Sequence, residues 1–260
     1  NYELINNGFS PKDYVSEEVL VDFKCDWSRI IENHLDILHI FWVHGDTIPD
    51  KDVNKNVLVS FNQKININPK YVESIYFYKN EPSKEFIRIK YIPPGRILIY
   101  KGDPSVSRYL QVLDHIPLGD NKARVIVRHY RKFLKNKILN NLILFKETQK
   151  KIFYKIFDED YMILKTQTYN HKLGLIKKDE IKLLGEDRII NYFWKWYKKS
   201  EDKDNPWKNI NKNNDLNVYD KVIFKYPPEI KKLEIINNIN IIRKTFIRYC
   251  APLLFFMLLI

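Results

Sequence analysis

Asn33-His34-Leu35-Asp36-Ile37-Leu38-His39-Ile40-Phe41-Trp42-Val43-His44 brings the amide of Asn33, the carboxylate of Asp36 and the imidazoles of His39 and His44 into one short run. Two imidazoles with one carboxylate suit a borderline metal such as Fe(II) and leave coordination positions open for dioxygen. Half of such a set stands in this stretch, so a further ligand is required from elsewhere in the chain. At about 100° per residue, Asp36 and His39 lie roughly 60° apart on a helix, whereas His39 and His44 are separated by about 140°. A regular helix does not aim both rings at one ion. The spacing therefore predicts that the helix loosens or ends between them, leaving His44 on a distorted last turn with Gly45 as terminator. The competing reading makes His39 an ordinary helix histidine and His44 a C-terminal one favoured by the helix dipole.

The flanks decide between these readings. Cys25-Asp26-Trp27 leads in and Glu32-Asn33 enters the helix, and the run Cys-x-Trp-x4-Glu-Asn-x2-Asp-x2-His-x4-His resembles the catalytic domain of Rieske non-heme iron oxygenases. The resemblance implies that His39 and His44 ligate a mononuclear Fe(II). It implies that Asp36 bridges the first ligand to a histidine of a [2Fe–2S] Rieske cluster, usually in a neighbouring subunit. Asn33 matches the family's asparagine near the iron. A carboxylate accepting an imidazole N–H also fixes the tautomer of the ring and raises its basicity.

The family takes its carboxylate ligand from a later helix, in a Glu-Asp pair followed by a glutamine or similar residue. Phe157-Asp158-Glu159-Asp160-Tyr161-Met162-Ile163-Leu164-Lys165-Thr166-Gln167 has that form, and the alignment makes Asp160 the ligand. Asp158 and Glu159 are its rivals, and chain geometry does not rank the three. Taken without the histidines, three consecutive acids read as a solvated helix face.

The 260 residues, 45% of them apolar, suffice for one good core. The formal charge of +12 is spread through every segment and no nucleic-acid motif accompanies it, so a nucleic-acid partner is not expected. The two cysteines, Cys25 and Cys250, form no cluster and support no disulfide framework. The Cys-x-His and Cys-x-x-His pairs of a Rieske cluster are not found in the sequence, and the first residue is Asn1. The expectation is a C-terminal portion of a longer protein, or a chain whose cluster sits on a partner.

Strand-like segments follow a polar loop at 45–56: Val57–Ile67, Val72–Tyr78, Phe86–Tyr91, Arg96–Lys101, Tyr109–Ile116 and Ala123–Phe133. Pro93-Pro94-Gly95 and Gly119-Asp120-Asn121 read as turns. Leu142, Phe145, Ile152 and Ile156 recur near helical spacing within a helix over about Lys137–Thr168. An antiparallel sheet gripping a long C-terminal helix is the α+β helix-grip (Bet v1/START-like) architecture that the resemblance implies. His115 and His129 fall on strands and read as structural, with His115 as a possible aid to substrate binding; His171 reads as a loop residue.

Residues 1–199 are expected to form the iron domain, with an aromatic amphipathic helix over Glu186–Lys199. Residues 200–242 read as a polar linker. Residues 243–260 end in an apolar run too short to cross a bilayer, which takes about 20 residues, and read as a clipped membrane anchor or a packed tail. Such a tail resembles the pheophorbide a oxygenase and cell-death suppressor branch of the family, although only Cys250 stands where that branch carries Cys-x-x-Cys. The branch implies a tetrapyrrole-like apolar substrate, chlorophyll metabolism, and a cytoplasmic or thylakoid-like location. The family implies dioxygen, electrons from a ferredoxin or ferredoxin reductase, and a homotrimer. A metal-free helix-grip carrier of apolar ligands is the alternative.

Overall fold

The computed structural model describes residues 14–44, 47, 62–78, 81–105, 107–119, 121–133, 135, 145–175 and 185–200. Its strands are β1 (Val15–Phe23), β2 (Asn62–Asn68), β3 (Tyr71–Phe77), β4 (Glu85–Ile92), β5 (Arg96–Lys101), β6 (Tyr109–Pro117) and β7 (Ala123–Arg131). Its helices are α1 (Trp27–Leu35), α2 (His39–Val43), α3 (Phe145–Lys172) and α4 (Arg188–Ser200), the last preceded by a 3-10 turn at Gly185–Asp187.

The strands form one antiparallel seven-stranded sheet in the order β1-β7-β6-β5-β4-β3-β2. β2 to β7 run as a meander, and β1 pairs with β7 over its whole length, from Val15 opposite Arg131 to Phe23 opposite Ala123. Successive side chains of a strand face opposite sides. In β7 this alternation sends Ala123, Val125, Val127, His129 and Arg131 inward. In β1 it does the same for Glu17, Val19, Val21 and Phe23. Glu17 is tolerated there because Arg131 Nη2 stands 3.4 Å from its carboxylate.

Helix α3 has 28 residues and, at about 1.5 Å per residue, is long enough to cross the inner face of the sheet. It packs Phe157 edge-on against Phe23 of β1 with ring centroids 5.9 Å apart. Helix α4 inserts Phe193, fully buried, between Trp27 of α1 and Tyr91 of β4, at centroid separations of 6.4 and 5.6 Å. Truncating such a core phenylalanine costs about 3–5 kcal/mol.

Three features depart from the sequence reading. The helix that carries the motif is interrupted before His39: it breaks at Asp36, whose backbone is extended (φ −78°, ψ 107°), and restarts at His39. This break at Asp36 is additional to the expected one: α2 ends at Val43, between the two histidines, and His44 stands on a distorted turn just past it. β1 carries no strand signal in the reading above, because its alternation is disguised by an inward acid, Glu17, and an outward leucine, Leu20. His171 lies on the last turn of α3 and not in a loop. The expected starts at Val57 and Lys137, the terminator Gly45, and the segments 201–242 and 243–260 lie outside the described residues. Among the described residues no helix is long and apolar enough to cross a membrane.

Candidate metal centre

The centre is built where the break between α1 and α2 meets the middle of α3. Asp26 caps the start of α1, accepting the Ser28 N–H at 2.8 Å, and Asp36 closes its end through N–H donation to the carbonyls of Glu32 and Asn33. The Asp36 carboxylate then accepts the N–H groups of Leu38 at 2.8 Å and His39 at 3.3 Å, which fixes the entry of α2. Because the chain is extended at Asp36, its backbone carbonyl turns towards the His39 ring and meets Nδ1 at 2.5 Å. The imidazole N–H of His39 is thus held by the carbonyl of Asp36, not by the carboxylate anticipated from the sequence.

His44 follows the last residue of α2, with φ −110° and ψ 11°, and its N–H closes on the Ile40 carbonyl at 3.1 Å. Placing His39 at the first residue of α2 and His44 just past the last resolves the five-residue spacing: the rings come to 5.3 Å, nearly perpendicular at 82°. His44 Nδ1 lies 2.8 Å from Glu159 Oε2, and the Thr47 hydroxyl donates to Glu159 Oε1 at 2.5 Å. Of the three consecutive acids, Asp158 is exposed, Glu159 orients His44, and Asp160 is 1% exposed and faces both rings.

Asp160 Oδ1 stands 3.0 Å from His44 Nε2 and 3.6 Å from His39 Nε2. Ligand atoms of His39, His44 and Asp160 all lie within 4.8 Å of one another. The hydrogen-bond pattern sets the tautomers. Carbonyl and carboxylate oxygens only accept, so in their neutral forms both rings donate from Nδ1 and carry their lone pairs at Nε2. His44 Nε2 and Asp160 Oδ1 are buried and meet without hydrogen-bond geometry to any partner. Lone pairs converging in a buried place repel one another until a proton or a cation sits between them. A two-histidine, one-carboxylate donor set of neutral imidazoles fits Fe(II).

The electrostatics agree. Burial disfavours the charged form of His44, yet the contacts with Asp160 and Glu159 outweigh it and raise its pKa above 6.5. Burial likewise opposes ionisation of Asp160, but His44, His39 and His34 hold its carboxyl below the ordinary value. His39 moves the other way, lowered by burial against the pull of Asp160. The Asn33 amide nitrogen is 3.4 Å from His39 Nε2, beside the centre as expected.

His115 and His129 are both buried, and they part company. His115 joins His34 beside the centre: its Nε2 is 2.7 Å from His34 Nδ1 and its Nδ1 is 2.7 Å from the Gly95 carbonyl. His129 sits elsewhere on the inner face with Tyr109 and Phe153. Cys25 is fully buried, and burial with the nearby Asp26 pushes its thiol up to about 12, which makes it an inert core residue. Thr47 and His34 were not singled out in the sequence, and Glu159 was read only as a rival ligand to Asp160. For Glu159 the only available signal was its position next to Asp160.

A sheet gripping a long helix, with two imidazoles from a broken helix pair and a carboxylate from the long helix, defines a non-heme iron oxygenase catalytic domain of the Rieske class. Residues 23–188 match the vanillate O-demethylase oxygenase C-terminal domain, and the chain belongs to that family. Among solved structures, dicamba monooxygenase bound to 3,6-dichlorosalicylic acid aligns with a TM-score of 0.57 at 10% identity over 74% of this chain and 60% of that one. NdmB of Pseudomonas putida CBB5 aligns at 0.57 and 14% identity over 73% and 51%. The NdmA QL mutant with theobromine, from the same organism, gives 0.55 and 14% over 73% and 51%. At such identities these likenesses show the fold, and the chain spans about half to three fifths of the length of these proteins. No curated protein gives a significant sequence match. Catalytic domains of this class bind mononuclear Fe(II), with the Rieske cluster in a separate domain. The chlorophyll-metabolism setting and tetrapyrrole substrate expected from the pheophorbide-type branch find no support in these matches.

Proposed function

We propose that His39, His44 and Asp160 hold the iron and that the chain is the oxygenating half of a Rieske-type enzyme acting on an apolar small molecule. The observation that carries this is the convergence of His44 Nε2, His39 Nε2 and Asp160 Oδ1, with both Nδ1–H groups already committed to oxygens. Bound Fe(II) supplies dioxygen activation at the positions these ligands leave open. Glu159 keeps His44 in the ligating tautomer, and the Asp36 carbonyl does the same for His39. Asn33 stands beside His39 Nε2. Buried apolar side chains such as Phe157 keep bulk water from the site. A metal-free carrier would leave the converging lone pairs without a cation, which favours the enzyme reading.

Asp36, half-buried at the break, is the residue we assign to the contact with the [2Fe–2S] domain, which is separate from the residues described and draws electrons from a ferredoxin or ferredoxin reductase. A homotrimer brings that domain from a neighbouring subunit. The apolar run at 243–260 is the proposed membrane tether, and a tetrapyrrole is the narrower substrate class that its likeness suggests. Iron analysis after anaerobic reconstitution tests the core of the reading. One equivalent is expected in the wild type and in Asp158→Ala, and none in Asp160→Ala; iron retained without Asp160 but lost without Asp158 refutes the assignment. Asp36→Asn should keep its iron and slow substrate-dependent oxidation of the reduced cluster, measured by stopped flow.

A further inference from the structure

The pair His34–His115 is the one buried titratable group beside the centre that the iron reading leaves unused. Its hydrogen-bond polarity can be worked out link by link. The Gly95 carbonyl only accepts, so His115 donates to it from Nδ1 at 2.7 Å. The same carbonyl takes the His115 backbone N–H at 2.8 Å, and its close approach needs glycine, since a Cβ on Gly95 would lie 2.6 Å from the His115 carbonyl oxygen. The two rings meet at 2.7 Å with residue exposures of only 8% and 6%, which keeps both neutral. Burial lowers the pKa of His115 to about 4 and that of His34 well below 6.5. A neutral His115 that donates from Nδ1 accepts at Nε2, so His34 donates to it from Nδ1. His34 Nε2 is left as a bare lone pair, and it has no hydrogen-bond partner among the described residues.

The surroundings of that nitrogen belong to the centre. Phe157, one turn before Asp160 on the same face of α3, packs edge-on against the His34 ring at 6.3 Å. The charges of Asp160, His39 and His44 are all felt at that ring. Yet His34 is not in the ligand cluster, which contains His39, His44 and Asp160. Its ring lies beside the three groups without being one of them. His115, with both ring nitrogens engaged, offers no free ring nitrogen to a substrate, in keeping with its reading as a structural histidine.

We propose that His34 Nε2 is the hydrogen-bond acceptor of the substrate site, set in that tautomer by the Gly95–His115 chain, and that the ligand it selects is an apolar molecule carrying one X–H donor, such as a phenolic hydroxyl. The proposal rests on the iron reading and refines it. His34 is then a binding residue, and His115 a positioning residue that acts through it.

Phenol and anisole, which differ in whether the oxygen carries a hydrogen, are the probes. The chain is loaded anaerobically with Fe(II), its iron content measured, and each probe titrated by calorimetry. Phenol should bind about tenfold more tightly than anisole, the value of one neutral hydrogen bond. His34→Leu should abolish that preference while retaining iron. His115→Leu should weaken it, and His115→Gln, which can still accept from His34, should restore it; a merely structural His115 would show no such rescue. Ring-nitrogen NMR of the metal-free wild type reads the tautomer without any substitution: a protonated Nε2 on His34 overturns the proposal. So does equal binding of the two probes, undetectable binding of phenol, or a preference that survives His34→Leu. In those cases a normal iron content leaves the iron reading standing, whereas a wild type that holds no iron removes both.

Discussion

Two buried histidine clusters lie against the same inner face of the sheet, and they differ in what their nitrogens face. At the centre, the free nitrogens of His39 and His44 point at one carboxylate oxygen. At the other cluster, His129 Nδ1 is 2.9 Å from the Tyr109 hydroxyl, whose oxygen accepts the Gln111 amide at 2.8 Å. The His129 ring stacks on Phe153 with centroids 3.6 Å apart, and its Nε2 is buried with no hydrogen-bond partner. Burial alone pushes His129 down to about 3. Both clusters are desolvated, so burial does not mark a metal site. Convergence does: a lone orphan nitrogen is a local cost of about 1–3 kcal/mol, whereas several lone pairs meeting at one point form a ligand set.

Exchanging the two clusters in an experiment gives the largest contrast. His44→Ala should reduce iron affinity more than a hundredfold, while His129→Phe should leave it unchanged, both read by iron titration; loss of iron in His129→Phe would merge the two clusters into one functional unit. Next in size is Glu159→Ala, which frees the His44 ring to rotate and change tautomer. Metal affinity should fall about 10–100-fold, as for other carboxylates that hold a ligating imidazole.

The pH dependence comes third. In the metal-free chain the His44 pKa is raised above 6.5. Its contribution to stability is therefore full below 6.5 and disappears as pH rises through the raised value. Iron must expel that proton, so affinity should rise about tenfold per pH unit until the raised pKa is passed, and then level. Calorimetry in buffers of different ionisation enthalpy should detect the released proton. A pH-independent affinity would remove His44 from the ligand set.

The smallest effect concerns acid stability. His129 is depressed to about 3, so as pH falls below 6.5 the unfolded chain takes up a proton that the folded chain refuses. Stability should fall by at most about 1.4 kcal/mol per pH unit for this residue. Urea midpoints between about pH 6.5 and 4 should show a shallower slope in His129→Phe.

The long alternating strands were legible because both hydrophobic period and turn chemistry marked them; Arg96–Lys101 has the same limits in both readings. β1 was not, because Glu17 faces inward only by virtue of Arg131, which lies 114 positions further on and is brought close by the sheet. The convergence of His39, His44 and Asp160 was legible through the family resemblance of the two motifs. The role of Glu159 was not: it orients His44 through a contact made across the fold, as the Gly95 carbonyl orients His115, and local sequence carries no trace of either contact. The helix end between His39 and His44 was legible from angular spacing, but the further break at Asp36 was not, because angular spacing shows that an interruption is needed without giving every place where the chain accommodates one. Asp36 accommodates it by capping two helices at once.

His44 and Glu159 touch across 115 residues, and strands β2 to β7 all lie between them in the chain. An ion held by the proposed ligands on α2 and α3 would consequently be a clasp across the finished sheet. It cannot be gripped until the last hairpin has zipped, and once gripped it ties the first third of the domain to the last. Iron occupancy thus doubles as a checkpoint on assembly: its arrival should slow hydrogen exchange in the strands as well as at the ligands.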